Sequence, residues 1–285
     1  MARSRRAPES RTAAVAGGLA ELRADPDRTD AWKLLLDGAP QSYVDLADPG
    51  HLGFTYQRRL GHIVDLVAPP GRPIEAVHLG GGGLTMARYT AHTRPRSTQV
   101  VVEADTALTE LVRRELPLDR GWRIKVRGAD AREGLGRLPD ASADLVIADV
   151  FAGARTPPHL TTLEFLRDVR RVLRPGGHYA VNLTDGGALS FTRGQLATVR
   201  AAFPGLALVL AAEPAVLRGK RFGNVILWAG PDPLPLPAFG RLLATDPAQS
   251  RTEHGRALTD FTGGAAVVTD ATATGSPPPP DHTFG

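Results

Sequence analysis

The 285-residue chain contains no cysteine. That excludes disulfides and any thiolate-bound metal centre, and it fits a cytoplasmic address. Lysine is confined to Lys33, Lys125 and Lys220, so the net charge of +4 rests on arginines scattered along the chain rather than gathered in a stripe. Aromatic residues make up only 6% of the chain and form no patch interleaved with basic residues, so nucleic acid is not an expected partner. No apolar run approaches the roughly 20 residues needed to cross a bilayer, so no membrane association is expected. The basic start, "MARSRRAPESR", is not followed by a continuous apolar segment and does not read as a secretory signal. His159 and His178 stand in unrelated contexts and no H-E-x-x-H occurs, so no metal is expected. "GALSFTRG" lacks the G-x-S-x-G elbow of a serine hydrolase.

What the chain does have is glycine, 31 residues of it, with four in a row in "AVHLGGGGLTMARY". Consecutive glycines cost chain entropy on folding, and a run of four exceeds what a tight turn requires. The surrounding pattern alternates strand and helix from 74 to 230, predicting an α/β, doubly wound, Rossmann-like sheet of seven strands. Before it, residues 18–73 read as β-hairpins with turn signals such as "DGAP", then a connecting helix through "TYQRRLGHIVDLVA". Residues 1–17 read as a disordered basic N-terminus. Residues 231–285 read as a Pro/Gly/Ala-rich extension, with one helix in "PAFGRLLA" and disorder over the last dozen residues.

The glycine turn lies between the first strand of the alternation and its helix, where a ligand can rest against bare backbone. Neither the dinucleotide spacing nor the phosphate-loop lysine follows it, so neither a dinucleotide nor a nucleoside triphosphate is indicated. Three acids end later strands: Glu103 in "QVVVEAD", Asp130 in "IKVRGAD" and Asp149 in "DLVIADV". In an open parallel sheet these ends share the ligand-binding edge, and an acid about 20 residues past the glycines suits a ribose. Asp130 taken alone divides evenly between binding a ligand and capping a helix.

The series "VHLGGGG…VVEAD…GADARE…ADLVIAD…LRPGGHYAVNL" resembles class I S-adenosylmethionine-dependent transferases, and within them the spermidine synthase (polyamine aminopropyltransferase) group, over about residues 20–230. The resemblance implies that S-adenosylmethionine or its decarboxylated form is the co-substrate. It implies that Gly80 and Gly82 pass the methionine moiety, Glu103 holds the ribose, Asp130 sits near the adenine amino group, and Gln41 reaches the cofactor from the front hairpin. Asp149 corresponds to the first acid of the family's Asp-x-x-Asp-Pro loop and is the expected catalytic residue. Tyr56 is an expected wall of the acceptor pocket. A small-molecule acceptor, an amine, and a homodimer built through the front strands are implied as partners.

The chain also departs from that family. Gly83 stands where the glycine motif has an aspartate that binds the donor's amino end, which would leave room for the carboxylate of intact S-adenosylmethionine. Ala152 stands where the second loop aspartate accepts the amine's proton, and Tyr56-Gln57-Arg58 replaces Tyr-His-Glu. A diamine is a dication at neutral pH and must lose a proton before it attacks, so each lost acid matters. Aminopropyl transfer, methyl transfer to a small molecule, and nucleoside binding without catalysis all stay open at this point.

Overall fold

The computed structural model describes residues 10–153 and 155–280. The front of the molecule is an antiparallel meander of β1 (Ser10–Val15), β2 (Gly18–Ala24), β3 (Ala31–Leu36) and β4 (Ala39–Asp45). Asp37 and Gly38, both at positive φ, make the two-residue turn between β3 and β4, the geometry that matches strand twist. The alternation in β2 turns Ala20 and Leu22 inward, where they join Trp32, Leu34 and Val44. This sheet begins at Ser10, so the expectation of disorder over 1–17 is wrong from there on. All six residues of β1 pair with β2, and Arg11 reaches Glu115 at 2.7 Å, which fixes the edge strand. Residues 1–9 lie outside the described residues.

The helix α1 (Thr55–Leu66) carries the chain to the main sheet. Its last carbonyls are gathered by the buried guanidinium of Arg94, which donates to the carbonyls of Val64, Asp65, Ala68, Pro69 and Arg72. Val64 and Asp65 are among the orphaned acceptors that a helix end must satisfy, and Ala68, Pro69 and Arg72 belong to the loop that follows it.

Strands and helices then alternate as the periodicity predicts: β5 (Glu75–Leu79), α2 (Thr85–Thr93), β6 (Thr98–Glu103), α3 (Thr106–Glu115), β7 (Arg123–Gly128), α4 (Ala131–Gly136), β8 (Ala143–Ala148), α5 (Leu163–Val172), β9 (Leu173–Asp185) and α6 (Ser190–Ala202). After them come β10 (Ala207–Ala212), α7 (Pro214–Leu217), β11 (Gly223–Gly230), α8 (Leu236–Leu243), β12 (Arg251–His254) and α9 (Gly255–Thr262). The sheet order is β12-β10-β11-β9-β8-β5-β6-β7, with β7 through β9 parallel and the remaining pairings antiparallel. Leu79, Val146 and Val181 face the core under α4, α5 and α6, while Ala76, Ile147 and Ile226 face α1, α2 and α8. The chain order reverses between β5 and β8, and such a switch point opens a crevice at the carboxyl ends of the strands.

Two expectations are corrected here. The main sheet has eight strands rather than seven, because β12 adds to the edge through β10. The C-terminal extension is docked through Pro280 rather than disordered over its last dozen residues, of which 281–285 lie outside the described residues. The extension as a whole contains α8, β12 and α9, two of them beyond the one helix expected; residues 263–280 form no helix or strand, but their backbone and polar side chains find partners on the domain. Asp270 takes a two-pronged contact from Arg132, and the amide of Val268 donates to Thr198. Ser276 is fully buried, accepting from the amide of Thr156 at 2.9 Å.

Candidate functional site

The strand β5 delivers the chain to Gly80, whose φ of +88° is open to glycine and strained for other residues. A Cβ there would stand 2.1 Å from the carbonyl oxygen of Asp149, so only glycine lets the ends of β5 and β8 approach this closely. The remaining glycines also meet protein atoms. A Cβ at Gly81 would lie 3.2 Å from that of Glu103, at Gly82 2.7 Å from Ser42 Oγ, and at Gly83 2.8 Å from Val44 Cγ2. The run thus serves first to bring β4, β6 and β8 together around one loop. Gly80, Gly81 and Gly82 additionally line a cavity, whereas Gly83 faces β4. The space left by the missing aspartate is therefore filled by Ser42 and Val44, which corrects the expectation that it would admit a donor carboxylate.

Glu103 ends β6 against this loop. Its Oε2 accepts from the amides of Gly81 at 2.7 Å and Gly82 at 3.2 Å, and its Oε1 accepts from Asp105 at 2.9 Å. The backbone amides hold the carboxylate at the cavity wall and occupy both lone pairs of Oε2, whereas Oε1 keeps one for a further donor. Asp105 caps α3 through Leu108 and also accepts from Gly17 in the front sheet. At the end of β7, Asp130 fulfils the capping reading: Oδ1 accepts from the amides of Arg132 and Glu133 at the start of α4. Its Oδ2 lies 2.8 Å from His159 Nε2. Burial pushes this carboxyl up, but His159 and the two amides outweigh burial and hold it below its ordinary value.

On the other side stands Asp149, just past β8. Burial pushes its carboxyl up to about 6, against the opposing pull of Asn182 and Tyr56. Asn182 donates to Asp149 Oδ1 at 2.9 Å and in turn accepts from Asn224 at 3.0 Å. Tyr56, on the first turn of α1, donates to the carbonyl of Gln41 at 3.1 Å and lies beside Asp149. Burial, then the Asp149 charge, push its phenol well above the usual range.

The seven residues singled out in the sequence, Gln41, Tyr56, Gly80, Gly82, Glu103, Asp130 and Asp149, all line one cavity of about 500 Å³. The structure brings in others that sequence reasoning did not assign to a site, notably Ser42, His78, Asp105 and His159, and Gln57 appears there only as a family departure. Two buried acceptors of this wall have no hydrogen-bond partner among the described residues: Gln57 Oε1 and His78 Nδ1. His78 gives Nε2 to Gln99, and burial takes its imidazole down to about 4, so it is neutral at pH 7. Four carboxylates, those of Glu103, Asp105, Asp130 and Asp149, face the cavity, and among the described residues no lysine or arginine lines it. Such a wall suits a ligand rich in hydroxyl and amino donors and carrying positive charge. An adenosyl sulfonium fits that description.

Comparison with known proteins bears on the family and the fold. A methyltransferase domain family matches residues 77–181. A polyamine aminopropyltransferase from Chromobacterium violaceum is 27% identical over 148 residues, which are 51% of this chain and 55% of that protein. The chain thus spans about half the length of that curated relative. The crystal structure of a probable spermidine synthase from Corynebacterium glutamicum superposes with a TM-score of 0.84 at 33% identity, covering 92% of this chain and 97% of that one. A spermidine synthase in complex with the transition-state analogue AdoDATO shares the fold, with a TM-score of 0.58 at 15% identity over 88% of this chain and 82% of that one.

Proposed function

The chain belongs to the spermidine synthase-like family of polyamine aminopropyltransferases, and on that premise we propose that it transfers an aminopropyl group from decarboxylated S-adenosylmethionine to a small amine. The observation that carries this reading is the charge of the cavity wall: four carboxylates and, among the described residues, no lysine or arginine. The decarboxylated donor carries a sulfonium and an ammonium, and both gain from such a wall. Intact S-adenosylmethionine carries a carboxylate that would find only like charge there.

In the proposed reaction Glu103 accepts from a ribose hydroxyl through Oε1, and Asp130, with Oδ2 shared with His159, faces the adenine amino group. Gln41 and Gln57 close the cavity above the reacting carbon. Asp149 first takes a proton from the acceptor's ammonium, in place of the acid lost at Ala152. The neutral nitrogen so formed bonds to the methylene next to the sulfonium as the carbon–sulfur bond breaks, its electron pair staying on sulfur. Methylthioadenosine leaves, the product amine departs as an ammonium, and Asp149 returns its proton to solvent. A carboxyl near 6 is mostly ionised at neutral pH yet basic enough to receive a proton, the compromise general-base catalysis needs. Holding donor and acceptor in line supplies the larger part of the acceleration, about 7–11 kcal/mol for well-aligned reactants.

A second reading, methyl transfer from the intact donor, draws on the methyltransferase-domain match over 77–181 and on Ala152. Calorimetry with both donors, followed by an assay of methylthioadenosine release across a panel of amines, separates the two. Tighter binding of the decarboxylated donor with amine-dependent release supports aminopropyl transfer. Tighter binding of intact S-adenosylmethionine overturns it, and binding without release to any amine leaves a nucleoside-binding protein.

A further inference from the structure

Behind Asp149 lies a pair of amides that the reaction scheme above does not use. Asn182 sits on β9 and is 1% exposed; Asn224 sits on the antiparallel neighbour β11, one diagonal step away, since Asn182 pairs with Ile226 and Asn224 with Thr184. Asn224 Nδ2 donates to Asn182 Oδ1 at 3.0 Å, and Asn182 Nδ2 donates to Asp149 Oδ1 at 2.9 Å. The direction of this chain has a chemical consequence. An asparagine side chain turned by 180° exchanges its oxygen and its NH₂ with almost no change in shape. If Asn182 were so turned, its carbonyl oxygen would face a carboxylate oxygen, an arrangement tolerated only with a proton between them. The NH₂ of Asn224 binds the carbonyl of Asn182 and thereby opposes that turn, since turning Asn182 alone would set its NH₂ against that of Asn224. Leaving the carbonyl without this partner in a buried setting would be costly.

We propose that Asn224, acting through Asn182, is a positioning residue that keeps Asp149 an acceptor rather than a donor of hydrogen bonds, and so keeps it ready to take a proton. This rests on the reading of Asp149 as the base. The titratable group that packs on Asp149 is Tyr56 from α1, which stays a neutral phenol; across the cavity stand His78 on β5, Glu103 at the end of β6, and the Asp130–His159 pair. None of these depends on the amide pair, so a change at position 224 reaches Asp149 only through Asn182.

The test is a carboxyl-carbon NMR titration of the aspartates, with Asp149→Asn used to assign the signal, on the full chain without donor or acceptor. In Asn224→Ala the Asp149 midpoint rises by half a pH unit or more, a threefold loss in the ratio of ionised to protonated form. Asn224→Ser, which keeps a hydroxyl donor, stays within 0.2 units of the parent. The acid limb of the amine-dependent rate moves by the same half unit in Asn224→Ala, while donor affinity stays within twofold. An unchanged midpoint in Asn224→Ala, or an equal rise in Asn224→Ser, overturns the inference. A shifted midpoint in a protein that transfers to no amine rejects the functional reading while keeping the positioning role.

Discussion

Gly83 is where the chain departs from its family most simply, and restoring the family residue is a sharp test of why. In Gly83→Asp the new Cβ would stand 2.8 Å from Val44 Cγ2, 3.1 Å from Ser42 Cβ and 3.5 Å from Thr85 Oγ1. All three belong to well-ordered elements: Val44 and Ser42 to β4 of the front sheet, Thr85 to the start of α2. The loop cannot retreat easily, because the Gly83 amide donates to Ser42 Oγ at 3.1 Å and its carbonyl accepts from the buried Arg88 at 3.2 Å. Overpacking of this kind costs about 1–3 kcal/mol. At roughly 2–4 °C per kcal/mol for a chain of this size class, the melting temperature falls by about 2–12 °C. Because position 83 faces β4 and not the cavity, the added carboxylate does not strengthen binding of decarboxylated S-adenosylmethionine. Trimming the obstacle in Gly83→Asp/Val44→Ala relieves the clash, so the double variant loses less than the two single losses added together. Differential scanning calorimetry and titration calorimetry read both quantities. A Gly83→Asp protein as stable as the parent, or one that binds the decarboxylated donor tenfold tighter, refutes the packing account.

Four further outcomes follow from three side chains. Asp149→Asn lowers the amine-dependent rate at saturating donor at least 100-fold, in keeping with loss of a general base; in the parent the rate declines as pH falls through about 6. The same substitution stabilises the fold. A carboxyl raised from its ordinary value near 4 lends stability below about pH 4 and loses it as pH rises through about 6, so Asp149→Asn gains about 1–2 kcal/mol at pH 7.5 and almost nothing at pH 4 in chemical denaturation. Asp130→Ser separates capping from binding: serine caps as well as aspartate, so stability stays within about 0.5 kcal/mol, whereas donor affinity measured by calorimetry falls at least tenfold. Ser276→Val strips the buried Thr156 amide of its acceptor at a cost of about 1–3 kcal/mol, and hydrogen exchange at that amide accelerates at least tenfold.

The parts of this molecule that sequence reveals are those governed by neighbours in the chain. Strand–helix alternation from 74 onward follows from periodicity, and the Asp37-Gly38 turn is announced by its two residues. The strand β12 is not: "RTEH" has no apolar residue, and it becomes a strand because β10 offers an open edge. The tail misleads for a related reason. Over 263–280 its composition makes no helix or strand, as expected, but says nothing of the partners that Thr156, Thr198 and Arg132 hold out to it. At the site, the acids at strand ends are readable because topology alone brings strand ends together. What they bond to is not, since His159 meets Asp130 across 29 positions and Asn224 meets Asn182 across 42.

That division bears on the acids this chain lacks. Counted in the sequence, Gly83, Ala152 and Arg58 are three lost carboxylates, and the loss weighs against amine chemistry. Counted in the cavity, four carboxylates remain, and one of them is raised to about 6 by burial, within reach of the proton-transfer role that the residue at 152 cannot fill. Burial alone would carry a carboxyl toward staying protonated, which would ruin it as a base. The donated hydrogen bond from Asn182, held in direction by Asn224, pulls the other way. On the proposed reading, a single acid stands in for those lost because its environment, rather than a second charge, sets when it ionises.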